Sequence, residues 1–200
     1  FTINGSGTGV GFNISRANNV TINNCIISNF SDGIRIFRTN GTKIANSTIN
    51  GNAVSDVYIN QSSNSTYIGS DIERFNASKV ALRIENTSTG FVSFSDQGDY
   101  SGTNLTQDVV VTNGSVFVNV SANPSLNVSA NITLIGVGFD NPQVEVDTND
   151  DGLFTICQLC KVTNTSGGNL VFSVPHFTTY RLGEARGDQS PGGGDKGART

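Results

Sequence analysis

The 200-residue chain is 36% hydrophobic and only 14% charged, has 23 glycines and neither Met nor Trp, and carries a formal net charge of −4. An acidic balance without any Lys/Arg cluster excludes the electrostatic footprint of nucleic-acid binding, and the longest apolar runs, such as Ile132–Val137, fall far short of the roughly 20 residues that span a bilayer. No segment carries a 3.6-residue apolar period and helix formers are sparse, so an all-β chain with almost no helix is predicted, long enough for two modules.

The chain opens on Phe1 rather than Met, the expectation for a processed or trimmed product. Over residues 9–90 the sequence matches itself at a shift of about 22–24 positions. Phe12 and Ile14 align with Ile34 and Ile36, then with Val57 and Ile59, then with Leu82 and Ile84. A second column runs Ile22, Ile44, Tyr67 and a third Ile27, Ile49, Ile72, with a stack of small or polar residues, Cys25, Ser47 and Ser70, between them. One such coil cannot bury its apolar side alone, whereas stacked coils place the columns above one another inside a solenoid. Residues 1–90 are therefore predicted to form a short right-handed parallel β-helix of about three coils.

The segments NVTINNCIISNFSDGIRIF and GTKIANSTINGNAVSDVYI resemble the parallel β-helix repeat family, the NosD-like and pectate-lyase-like solenoids, over roughly residues 3–90. The resemblance implies the fold and leaves activity open, because that solenoid carries lyases, hydrolases, adhesins and inert spacers alike. From Phe91 the rhythm changes to short alternating strands punctuated every eight to twelve residues by Gly, Asn-Pro or Asn-Gly, which reads as an antiparallel β-sandwich over residues 91–183. Its stretch from ITLIGVGFDNPQVEV through CQLCKV to GGNLVFSVPHFTTYRL, about residues 128–182, resembles β-sandwich modules that close archaeal cell-surface proteins, which implies an archaeal envelope structure. Residues 184–200, EARGDQSPGGGDKGART, form a Gly-rich extended tail.

Sixteen N-x-S/T sequons stand at Asn4, Asn13, Asn19, Asn29, Asn40, Asn46, Asn60, Asn64, Asn76, Asn86, Asn104, Asn113, Asn119, Asn127, Asn131 and Asn164. An Asn/Ser/Thr-rich chain produces some by composition alone, and the excess points to an exterior protein carrying N-linked glycans. Asp147, Asn149 and Asp151 before Gly152 match the start of a D-x-N-x-D-G calcium loop, but Gln158 stands where the bidentate Glu belongs. The segment reads either as a structural calcium site or as a solvated acidic hairpin turn. Cys157 and Cys160 form a C-x-x-C pair. Zinc lacks two further ligands nearby and redox activity lacks a helix N-terminus, so a local disulfide is predicted. Cys25 reads as a buried free thiol.

No catalytic constellation is readable. His176, the only histidine, belongs to a strand ending. Arg35 and Arg83 share an outward column with Tyr58 in the sequence register, with Asp32, Asp56 and Asp71 nearby. These form either a sugar-binding flank or a solvated face, and the RGD triplet Arg186–Asp188 needs no function. The expectation is a non-enzymatic structural subunit of an extracellular glycosylated assembly, polymerising head to tail with copies of itself through an uncapped first coil and the tail. The alternative is a carbohydrate-binding or polysaccharide-degrading β-helix protein.

Overall fold

The computed structural model describes residues 1–62, 65–68, 70–94 and 98–185. Beyond Ala185 the tail, the RGD triplet and the expected tail-mediated strand exchange lie outside the described residues. The first part is a β-solenoid of about three turns, as the periodicity predicts. Each coil lays one strand on each of three faces. The first face stacks Thr2–Asn4, Ile26–Ser28, Thr48–Ile49 and Asp71–Ile72. The second stacks Val10–Ser15, Asp32–Phe37, Ser55–Asn60 and Arg74–Val80. The third stacks Thr21–Asn23, Lys43–Ala45, Ser65–Ile68 and Leu82–Asn86.

Parallel ladders set the side chains in columns. Ile3, Ile27, Ile49 and Ile72 line the first face. Ile14, Ile36, Ile59 and Ala77 line the second, beside Phe12, Ile34, Val57 and Phe75. Ile22, Ile44, Tyr67 and Ile84 line the third. Leu82 and Ile84 thus belong to the third face and not below Val57 and Ile59. The last coil is short: Phe75 pairs with Val57, only 18 positions earlier, and Phe75 and Ala77 carry on the column with residues unlike Ile. Ile27, Ile34, Ile36, Ile49, Ile59 and Ile72 are all 0% exposed, and each such burial contributes roughly 1.5–3 kcal/mol.

Corners between faces would strand backbone N–H groups inside the coil, and short polar side chains meet them. Cys25 N donates to Ser47 Oγ (3.2 Å), and Ser47 N donates in turn to Ser70 Oγ (3.3 Å), so the predicted small-residue stack is a hydrogen-bonded ladder. Thr39 N donates to Ser62 Oγ (3.1 Å) at another corner. Arg16, Arg38 and Gln61, one coil apart, each take a left-handed backbone (φ 53°, 51° and 49°), as do Asn24 and Asn46 (φ 54° and 47°).

At the end of the solenoid every face is closed. After Asn86 the chain turns back, and Gly90–Phe94 pairs antiparallel with the third face. Gly90 has φ 139°, and a Cβ there would stand 2.0 Å from Thr133 O, so glycine is required. Gly98–Thr103 pairs antiparallel with Arg74–Val80 on the second face. The short helix Leu105–Asp108 meets the first, where Asn104 N donates to Glu73 O (2.6 Å) and Thr106 Oγ1 to Ser70 O (2.5 Å).

The antiparallel sandwich grows from the third face. Gly90–Phe94 is followed across the sheet by Ala130–Leu134, Asn169–Val174 and Lys161–Ser166, which makes one eight-stranded sheet from the first coil to the far edge. The second sheet orders Val109–Thr112, Ser115–Val118, Thr179–Glu184, Pro142–Asp147 and Thr155–Ile156. Between the layers Phe94 meets Phe177 (5.5 Å), and Tyr180 meets both Phe172 and Phe177 edge-on (6.4 Å each). The boundary expected at residue 90 therefore falls within a shared sheet and a shared core.

The register makes a directional prediction. Ile59→Asp should bury an unpaired charge and cost several kcal/mol, while Asn60→Asp, one residue on and facing outward, should leave the melting temperature within a degree or two. Equal shifts from the two substitutions would refute the register.

Candidate functional site

The sequon asparagines are the most numerous candidates. Asn64 lies outside the described residues, as does the side chain of Asn164. Among the other fourteen none is buried: Asn60 and Asn119 are half-buried and the rest are exposed. The two fully buried asparagines, Asn52 and Asn123, are both 0% exposed, and neither stands in a sequon. Both have structural duties. Asn52 accepts from Phe30 N (3.0 Å) and donates to Asp56 Oδ1 (2.8 Å), and Asn123 donates to Asp108 Oδ2 (2.6 Å).

Some sequon positions also have a local structural reason for Asn. Asn19, Asn29, Asn46 and Asn104 are left-handed (φ 55°, 59°, 47° and 53°), a conformation Asn tolerates better than most residues. Asn119 Nδ2 donates to Asp108 Oδ1 (2.9 Å), and Asn127 Oδ1 accepts from Phe177 N (3.0 Å).

The outward ladder of the second face runs Asn13, Arg35, Tyr58, Asn76. Beside it Phe37 pairs with Asn60, and Arg38 lies 4.8 Å from the Phe37 ring centroid. Arg83 is not part of this column. It sits on the third face opposite Ser93, stacked 3.4 Å over the Phe91 ring and ion-paired to Glu85 (2.8 Å). Of the acidic neighbours, Asp32 lies beside Arg35 as expected, Asp56 is buried, and Asp71 is exposed on the first face. Asp32 is 4% exposed, held by Arg35 and by Ser55 Oγ (2.6 Å), and Asp56 is 0% exposed. Strand alternation points Asp56 outward, but at the corner it turns in to accept from Asn52 N (3.2 Å) and Arg74 N (2.7 Å).

Asp147, Asn149 and Asp151 lie in a tight loop whose carboxylates serve the loop itself. Asp147 accepts from the N–H groups of Asn149 (3.3 Å), Asp151 (3.1 Å) and Gly152 (2.7 Å), and Asp151 accepts from Leu153 N (2.9 Å). Among the described residues no group of three or more His, Cys, Asp or Glu is placed to hold a metal ion. Cys157 and Cys160 are joined by a disulfide, and Cys25 is a buried free thiol. Around the disulfide the segment carries exposed apolar side chains that sequence reasoning passed over: Leu153 is 73% exposed, Ile156 54%, Leu159 68% and Val162 48%. The signal was there in GLFTICQLCKV, whose apolar residues follow no consistent alternation.

Two carboxyls are shifted in opposite senses. Burial pushes Asp56 above its ordinary value of 3.8, against the pull of hydrogen bonds from Asn52 and Arg74. Burial also raises Asp147, but the N–H groups of Gly152, Asp151, Asn149 and Asp150 outweigh it and hold the carboxyl below 3.8. Asp147 therefore adds stability above 3.8 that is lost as pH falls through its lowered value. Asp56 adds stability below 3.8 that is lost as pH rises through its raised value. A carbon-detected carboxyl titration should give midpoints on opposite sides of 3.8, and the reverse order would overturn both assignments.

Comparison with protein-family models, with curated proteins and with solved structures finds no match to this chain.

Proposed function

We propose that the chain is a structural subunit of an extracellular, N-glycosylated assembly, a filament, sheath or surface layer of archaeal type, in which copies meet head to tail and no reaction is catalysed. The observation that carries this reading is the trio Asn13, Asn76 and Asn131. Each is exposed and faces outward from a strand, where Asn is a poor choice, and among the described residues none takes part in a side-chain hydrogen bond or a left-handed turn. Neither the strand nor the core asks for Asn at these places, whereas a sugar acceptor does. The stacked-coil architecture, like that of the NosD-like and pectate-lyase-like solenoids the sequence resembles, is consistent with a spacer or a surface element.

The assembly part of the reading draws on the tip at Leu153, Ile156 and Leu159. Three strongly exposed apolar side chains within seven residues of one disulfide-bonded segment are the mark of an interaction surface. A heterologous contact from this tip to a different patch on the next copy propagates as an open filament when its rotation does not close a ring. Electron microscopy of the native material should show regular polymers, and Leu159→Asp should disperse them while leaving the subunit folded. Native particles that are uniformly monomeric, with intact masses equal to the bare polypeptide, would refute both halves of the proposal.

A second reading, carbohydrate binding, has one specific observation in its favour: Arg35, Phe37, Arg38 and Tyr58 gather aromatic faces and guanidinium groups on a single outward surface. On that reading calorimetry with oligosaccharides should detect binding that Tyr58→Ala weakens at least tenfold. Heats indistinguishable from dilution across acidic and neutral oligosaccharides would eliminate it.

A further inference from the structure

Four Asn-Gly pairs stand in the sequence, beginning at Asn4, Asn40, Asn50 and Asn113. The pair has a chemistry of its own. Glycine leaves its backbone nitrogen unhindered, and that nitrogen can reach the preceding Asn side-chain carbonyl and close a five-membered ring. Closure needs the side chain and the peptide group between the two residues to be free to turn. The sequence treats the four pairs alike, but the fold does not.

At three of them hydrogen bonds pin the groups that must move. Gly5 N donates to Ser28 O (2.9 Å), while Asn4 Oδ1 accepts from Ser28 Oγ (3.2 Å) and Asn29 Nδ2 (2.7 Å). Asn40 is held between coils, its N donating to Ala17 O (3.3 Å) and its O accepting from Asn19 N (2.8 Å), which fixes the plane of the peptide leading to Gly41. Asn50 is half-buried, its O accepts from Asn52 Nδ2 (3.3 Å), and Gly51 N donates to Glu73 Oε2 (3.4 Å).

Asn113 differs on every count. It is exposed, in the two-residue turn between Val109–Thr112 and Ser115–Val118, where Thr112 pairs with Ser115. Among the described residues its side chain enters no hydrogen bond, and neither does Asn113 O or Gly114 N, so the peptide group between them is held from neither side. Gly114 has φ 88°, and a Cβ placed there would meet nothing within 4 Å.

We propose that Asn113 is a self-modifying site, which deamidates through a succinimide to leave aspartate or isoaspartate at that position. The Gly114 nitrogen loses its proton to solvent and attacks Asn113 Cγ. The new N–C bond forms, the Cγ–Nδ2 bond breaks, and the amide leaves as ammonia with a proton from solvent. Water then opens the ring at either carbonyl. One opening gives aspartate. The other gives isoaspartate, whose backbone runs through Cβ and Cγ and makes the turn one methylene longer. Water is consumed and ammonia released, with no further reactant. The product gains a negative charge and loses the amide that accepts a sugar, so the reaction closes the sequon Asn113-Gly114-Ser115 for good. The neighbouring strand senses the longer turn, because Leu182 N donates to Gly114 O (2.7 Å). The inference goes beyond the glycoprotein reading and does not rest on it.

The test uses the full chain with Ser115→Ala, which removes the sequon and keeps Asn113-Gly114 intact and free of glycan. It is aged in mildly alkaline buffer and mapped by peptide mass spectrometry, with fragmentation that separates isoaspartate from aspartate. Asn113 should convert about tenfold faster than Asn4, Asn40 or Asn50, because each of those must first break one or two hydrogen bonds. Its rate should rise with pH, because the nucleophile is the deprotonated backbone amide. In denaturant the four sites should converge on similar rates, and Asn113→Gln, which would have to close a larger ring, should stay unmodified in the folded chain. Asn113 that survives as the amide, or converts no faster than the three pinned pairs, overturns the proposal. A lead for Asn113 that persists unchanged in denaturant overturns it as well, since the fold would then not be what selects the site.

Discussion

A column of isoleucines can be buried only if each coil brings the chain back to the same place on each face, and the rest of the molecule depends on that closure. Closure is a problem of corners more than of strands. The strands are two to seven residues long and alternate as any half-buried strand does. The corners must reverse the chain several times per coil without abandoning an N–H inside it. The chain meets this with left-handed residues at matching places in successive coils, and with side chains that act across coils. Ser47 and Ser70 each take the N–H of the coil before, and Asn52 takes the Phe30 N–H in the same way. Each coil therefore completes the hydrogen bonding of its neighbour as well as its core. That coupling explains why a 22-residue unit is stable only in a stack.

The same coupling makes the end of a solenoid costly, because the last coil offers edges on all three faces at once. Here the chain closes each with a different device, all drawn from the segment just after the last coil. A hairpin strand covers the third face, a reversed strand covers the second, and a single turn of helix covers the first. The hairpin strand Gly90–Phe94 does more than cap, since its other edge pairs with Ala130–Leu134 and so begins the sandwich. The cap of one architecture is the first strand of the next.

Much of this was legible in the residues. Three columns of apolar residues at a steady shift implied the stack, the small-residue column implied a corner, and the change of rhythm near Phe91 implied a second architecture. What escaped the sequence did so for physical reasons. The last coil is shortened, and Phe75 and Ala77 fill the places below Val57 and Ile59, so a fixed shift of 22–24 positions lands on Leu82 and Ile84 of the third face instead. Arg83 went with the same error, to a different face from Arg35. Asp56 departs from strand alternation at the strand's first turn, where its carboxyl faces inward to accept from the Arg74 and Asn52 N–H groups even though burial raises its pKa.

The shared sheet bears on any larger assembly. Modules joined by a linker move relative to one another by default, but here eight strands run in continuous hydrogen-bonded order from Thr21–Asn23 to Lys161–Ser166. At about 4.8 Å per strand, that sheet carries the solenoid register some 34 Å without a break. A second constraint lies alongside it, since Phe94 packs on both Tyr100 and Phe177 and so ties the second-face cap to the sandwich core. In a polymer of such subunits, a contact at the Leu153–Leu159 tip and a contact at the first coil would be held at a fixed distance and angle by the fold itself. The repeat of the polymer would then follow from the twist of one sheet, and bending would have to occur at the contacts between subunits rather than within them.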